Sequence, residues 1–303
     1  SARADGQCLA RGGHAASDLA TVSGSLCACI GNAEMTGFSA EWLALREPYD
    51  ARARNAEVIE AVATFLKPLP SVRVIDLACG TGSTLRALSP CLPARQNWHL
   101  VDNDVGLLMY AKATPLAEDI DVTVIPLDLN RDIEAALDGE VDLVATSALL
   151  DLVSAAWLDR LALALAARSI PFYAALSYDG RTGFTPTDPF DTRVMAGTNA
   201  HQSTDKGFGP ALGPAAAAFM IARFKALGYS VIHGASDWVM GPEDRTIQTE
   251  ILTGWARASE EMGALPLADA TAWLTRRHAA VDAGCSSLRV GHIDFFAMPS
   301  ATR

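Results

Sequence analysis

The densest chemical signal is the stretch Val74-Ile-Asp-Leu-Ala-Cys-Gly-Thr-Gly-Ser83. A short apolar run ends in an acid, Asp76, and passes into a turn holding Ala78, Cys79, Gly80 and Gly82. A helical pattern opens immediately afterwards. Glycines at such a turn let the backbone take left-handed dihedrals and approach a ligand closely. Two familiar ligands fit badly. The dinucleotide fingerprint needs a third glycine at its sixth position, but counted from Gly80 that position is Leu85 and counted from Ala78 it is Ser83. A phosphate-binding loop needs Gly-Lys-Ser/Thr, which is absent. Asp76 would repel a pyrophosphate, whereas it suits a cationic amino-acid moiety.

The elements that must position this turn alternate. Short apolar runs at Arg73–Leu77, Trp98–Val101, Val122–Leu127, Val141–Thr146 and Ile170–Leu176 predict buried strands. A sixth starts at Ser230–His233, extending toward Val239, and Leu288–Phe296 forms the last. Helical periods fall between them, at Ser83–Leu88, Val105–Ala113, Ala155–Ala167 and Ala215–Leu227. A helical pattern from Ser39, with its amphipathic part over Ala51–Leu66, precedes the first strand and is stopped by Pro68 and Pro70. Such alternation implies a parallel sheet with helices on both faces, an α/β doubly wound fold. Two segments break the rhythm. Residues 178–213 are rich in Gly, Pro, Asp and Thr, and are expected to form a long functional loop. Residues 243–284 carry two helical patterns, and both segments are read as insertions capping one end of the sheet. Residues 1–34 lack any sustained period and are read as a flexible or non-native leader, leaving 35–303 as one domain.

Composition narrows the function. Of 303 residues, 50% are hydrophobic and 19% charged, enough to bury a large core and too apolar for a disordered chain. The net charge of −11 argues against a nucleic-acid partner, which needs a basic face. No apolar run reaches the twenty or so residues of a membrane span. The six cysteines show no zinc-ligand spacing, so no metal is expected, and reduced thiols in a cytoplasmic setting are the simplest reading.

The sequence resembles the class I S-adenosylmethionine (SAM)-dependent methyltransferases, whose motif is similar to VLDxGCGTG. It stands here as Val74 to Gly82, with Ala78 at the usual first glycine, and the resemblance runs from about Glu41 to Leu176 with a weaker tail to residue 298. It implies a seven-stranded, mostly parallel Rossmann-like sheet of order 3-2-1-4-5-7-6 with the last strand antiparallel. It implies SAM as cofactor, held by Asp76, Ala78, Cys79, Gly80 and Gly82. An acid ending the second strand would take the ribose hydroxyls, matched by Asp102 with Asn103 beside it. An acid after the third would accept from the adenine amino group, matched by Asp128 with Leu129 beside it. Ser147, in Thr146-Ser-Ala-Leu-Leu-Asp151, would line the methionine end. Asp102 and Asp128 could instead simply cap the helices that follow. In Arg46-Glu-Pro-Tyr-Asp-Ala-Arg-Ala-Arg54, Arg46 or Arg54 is placed to grip the cofactor carboxylate and Tyr49 to stack near the sulfonium, against the ordinary reading of a charged helix start.

Acceptor-side residues are expected beyond the carboxyl ends of the strands: Asp151 after the fourth, Tyr178 after the fifth, and His201 in Asn199-Ala-His-Gln. His201 is read as a base or as an exposed loop residue, while His99 and His292 are read as structural. Ser147-Ala-Leu-Leu150 stands where DNA amino-methyltransferases carry a Pro-Pro-aromatic motif, and Pro90-Cys91 lies far from where an RNA cytosine-5 nucleophile would. The reading is an enzyme methylating N or O of a small molecule, acting alone or as a homodimer. A protein side-chain methyltransferase and a non-catalytic SAM sensor are its rivals.

Overall fold

The computed structural model describes residues 38–300; the leader assigned to residues 1–34 lies outside them. The chain opens with α1 (Ala40–Ala53) and α2 (Ala56–Leu66). It continues through β1 (Val72–Leu77), α3 (Ser83–Leu88), β2 (Gln96–Asp102), α4 (Val105–Lys112), β3 (Ile120–Pro126), α5 (Leu129–Ala136) and β4 (Leu143–Ser147). Then come α6 (Ala155–Ala167), β5 (Phe172–Thr185), α7 (Asp191–Gln202), α8 (Ala216–Ala226), β6 (Tyr229–Ala235) and β7 (Trp238–Met240). The chain closes with α9 (Arg245–Glu261), α10 (Leu267–Asp282) and β8 (Ser287–Pro299).

The sheet order is β3-β2-β1-β4-β5-β8-β6, with β8 antiparallel to both neighbours and β7 pairing β8 off that path. With the short β7 set aside, this is the order the resemblance implies. Consecutive strand residues face opposite sides, so Phe172 and Phe295 join one core while Tyr173 and Phe296 join the other. α5, α6 and α8 cover the first face, and α2, α3 and α4 the second. Helix starts are set by side-chain caps: Ser39 accepts from Trp42 N, Asn55 from Val58 N, Asp104 from Gly106 and Leu107 N, Asp128 from Asn130 N and Ser154 from Trp157 N.

Three expectations need correction. The helical run through Ala51–Leu66 is broken at Arg54–Asn55, because the Asn55 side chain caps α2 while its main-chain N–H goes to Asp294 Oδ2 at 2.9 Å. The stretch 178–213 is not a long loop. β5 runs on to Thr185, paired with β8 as far as Ser287, and residues 191–202 form α7. These extensions carry a separate core built from Val194, Met195, Trp238, Ile251, Trp255 and Trp273, so α7, α9, α10 and β7 make a packed cap. β6 also stops short of Val239: Asp237 turns to pair with Arg181 and Arg289, and the chain re-enters the sheet as β7.

Candidate active site

The glycine-rich turn sits at the carboxyl end of β1, between β2 and β4. Ala78, Gly80 and Gly82 all have positive φ, at 52°, 52° and 83°. For Ala78 this conformation costs roughly 1–2 kcal/mol, strain that a glycine would avoid. A Cβ on Gly80 would lie 3.2 Å from Leu43 Cδ1, and one on Gly82 3.3 Å from the Ala111 Cβ, so α1 and α4 press on the turn. Asp102 holds it from β2: one carboxylate oxygen accepts from Gly80 N at 2.8 Å, the other from Asp104 N at 3.0 Å. Asp104, not Asp102, caps α4. Asn103 is exposed beside it. Cys79 is buried in the turn, and burial beside Asp76 and Asp102 pushes its thiol pKa up, which keeps it neutral.

Asp76 is fully buried, and neither carboxylate oxygen has a hydrogen-bond partner among the described residues. Burial pushes its pKa up to about 8, against the pull of the Arg54 charge and the Thr84 hydroxyl. Such a group wants a donor or a cation supplied from outside the chain.

Arg54 is buried opposite. Its guanidinium donates to the Tyr173 hydroxyl at 3.2 Å and to Ser147 Oγ at 3.4 Å, while Nε is unpartnered. Arg46 and Tyr49 are placed differently. Arg46 makes two hydrogen bonds to Asp50, at 3.0 and 3.2 Å, and lies 5.1 Å over the Trp238 ring, whose Nε1 donates to the same Asp50 at 3.0 Å. Tyr49 donates to Asp244 at 2.7 Å, with the Arg52 guanidinium 4.5 Å from its ring. Glu47 pairs with Arg86 at 2.5 Å. α1 is therefore tied by polar bonds to the cap and to α3. Between α1 and α3 lies a cleft of about 90 Å³ lined by Glu47, Asp50, Arg54, Ser83 and Arg86.

Asp128 caps α5, and the main-chain carbonyl of Leu129 accepts from Trp157 Nε1 at 2.8 Å. Asn130 donates to Gly207 O at 2.7 Å, bringing the 203–209 turn over this end of the sheet.

The two residues expected on the acceptor side, Asp151 and Tyr178, come together. Asp151 is buried with Oδ1 unpartnered, and burial raises its pKa to about 6 against main-chain N–H groups of Asp151 and Tyr178 and the Arg46 charge. The Tyr178 hydroxyl donates to Asn199 Oδ1 at 2.8 Å, and burial with Asp151 nearby pushes its pKa up. His201 lies elsewhere on α7: its Nε2 is 3.2 Å from Glu261 and its Nδ1 3.4 Å from Lys206 Nζ. Burial and the Lys206 charge lower its pKa, so it is neutral at pH 7. Sequence reasoning passed over Trp238 and Asp50, named Asn199 only as the start of the run that carries His201, and read His292 as structural. His292 is cross-strand from Tyr178, its ring 6.2 Å from that phenol and 5.2 Å from Trp238, with Nδ1 buried and unpartnered. Burial and the Arg46 charge push its pKa down to about 3.

No family model and no curated protein matches the chain. Solved structures similar to it include a cyclopropane-fatty-acyl-phospholipid synthase-like protein from Lactobacillus casei, at 14% identity and TM-score 0.47, over 84% of this chain and 99% of that one. A SAM-dependent methyltransferase from Geobacter sulfurreducens in complex with S-adenosyl-L-homocysteine is 18% identical at TM-score 0.39, over 84% and 98%. Another SAM-dependent methyltransferase with the same ligand, from Thiobacillus denitrificans, is 16% identical at TM-score 0.42, over 87% and 100%. Likenesses this loose leave the chemistry to be argued from the residues themselves.

Proposed function

We propose that the chain is a SAM-dependent methyltransferase acting on nitrogen or oxygen of a small molecule. The observation that carries this reading is Asp76, a fully buried carboxylate whose oxygens have no partner within hydrogen-bond geometry, leading into a turn that Gly80 and Gly82 hold in left-handed backbone. The ammonium of the cofactor's methionine supplies that donor. Asp102 keeps spare lone pairs for ribose hydroxyls, and Arg54 Nε is available to the methionine carboxylate, with Ser147 alongside. Asp128 carries one main-chain hydrogen bond and retains acceptor capacity toward an adenine amino group.

When bound, SAM supplies an electrophilic methyl: the acceptor lone pair forms the new bond to carbon, the C–S bond breaks, and sulfur keeps the electron pair as a neutral thioether. The protein's part is to align acceptor and methyl and to exclude water. α1 and the packed cap would do the second, and Asp151 with Tyr178 would orient the acceptor. A cap with its own apolar core favours an enclosed small molecule over a protein side chain. Among the described residues no helix is long and apolar enough to cross a membrane. The test is to incubate the protein with methyl-labelled SAM and a small-molecule cell extract. A labelled compound that forms only with the protein present is expected; SAM binding with no labelled compound would leave a sensor in place of an enzyme.

A further inference from the structure

Buried acids outnumber buried arginines on α1 and the strands and strand ends of the sheet: Asp50, Asp76, Asp102, Asp151 and Asp294 against Arg46 and Arg54. Arg46 is engaged by Asp50, and Arg54 by Tyr173 and Ser147, its free Nε being assigned above to the cofactor carboxylate. Asp294 is satisfied by Leu176 N at 2.7 Å and Asn55 N at 2.9 Å, and Asp102 by the glycine turn. That leaves three carboxylate oxygens in want of a partner, both of Asp76 and Oδ1 of Asp151. The cofactor has one ammonium, and on the reading above Asp76 takes it. Asp151 Oδ1 remains, at the start of the segment after β4, with Tyr178 beside it and the His292 and Trp238 rings next in line.

From this juxtaposition of an orphaned buried carboxylate and aromatic rings, resting on the methyltransferase reading, we infer that the acceptor is an amine, held by an N–H···O bond to Asp151. A carboxylate or phosphate acceptor would meet an uncompensated acid and no free buried arginine at this end. A neutral hydroxyl offers Asp151 a single donor, whereas a neutral amine nitrogen brings two or more N–H groups while keeping a lone pair. The amine attacks in its neutral form, through that lone pair. The nitrogen–carbon bond forms as the C–S bond breaks, and the proton that the alkylated nitrogen sheds passes to Asp151 and on to water. An Asp151 carboxyl near neutrality in its buried setting fits a proton acceptor.

The experiment uses the full chain with methyl-labelled SAM and a small-molecule extract of bacterial cells, separated by cation exchange at pH 7 and read by mass spectrometry. Label is expected in compounds retained as cations, with fragments placing the methyl on nitrogen. Asp151→Asn is expected to lower label incorporation at least 100-fold while calorimetry shows SAM affinity within about twofold of wild type, since Asp151 lies on the acceptor side. Label on oxygen or carbon, with SAM bound normally, would overturn the amine assignment alone. So would wild-type incorporation by Asp151→Asn. Absence of SAM binding, or SAM binding without any labelled compound, would overturn the underlying reading and this assignment with it.

Discussion

Asp76→Asn is expected to make the cofactor-free protein more stable at pH 8 while weakening SAM binding at least tenfold. The sign follows from linkage. An aspartate has a pKa near 3.8 in the unfolded chain and about 8 here, so folding takes up a proton between those values. Stability contributed by this group is therefore unaffected below about pH 4 and is progressively lost as pH rises toward 8. Asparagine carries no charge to bury. The variant should melt roughly 5–10 °C above wild type at pH 8, with the gap closing near pH 4. Binding should fall because an amide cannot pair with the methionine ammonium as a carboxylate does, and a hydrogen bond to a charged group is worth about 1.5–3 kcal/mol. Differential scanning fluorimetry across pH, with and without SAM, reads both effects. A variant less stable than wild type at pH 8 would show that Asp76 is satisfied within the fold and not reserved for a ligand.

Asp102→Ala should hurt twice. Read from sequence, Asp102 is only a ligand contact or a helix cap, and a pure ligand contact would leave the unliganded melting temperature unchanged. The structure gives it a third task. Its two oxygens hold Gly80 N and Asp104 N, so removal frees a turn whose residues have positive φ. A loss of about 1.5–3 kcal/mol of stability is expected, a fall of several degrees in melting temperature, together with a tenfold or greater loss of SAM affinity. Asp102→Asn keeps one acceptor oxygen and should recover part of the stability but less of the affinity. Unchanged melting and unchanged affinity in the alanine variant would remove Asp102 from the site.

Much of this arrangement can be read from local sequence. The turn from Asp76 to Gly82 announces itself through residue types, α3 starts where periodicity places it, and α6 both starts and ends there. The cap does not. Gly180, Gly183 and Pro186 break the apolar alternation of β5, so the run past Tyr178 looks like loop. Its strand character comes from pairing with β8, more than a hundred residues away, which no local pattern reveals. α7 buries Gly197 and Thr198 beside Val194 and Met195, too polar a face to stand out. His292 and Asp294 lie in a strand where alternation would assign polar residues to solvent, yet both are buried. Arg46 and Asp50, four apart, are visible as a helical pair, but that Trp238 closes it from the cap is a tertiary fact.

Isothermal titration of the protein with SAM, and separately with NAD, tests the central claim most directly. A SAM dissociation constant in the micromolar range, with no heat from NAD, is the expected result: the orphaned Asp76 carboxylate favours an ammonium and opposes a pyrophosphate. Tight NAD binding with no SAM binding would contradict it and return the glycine turn to a dinucleotide site.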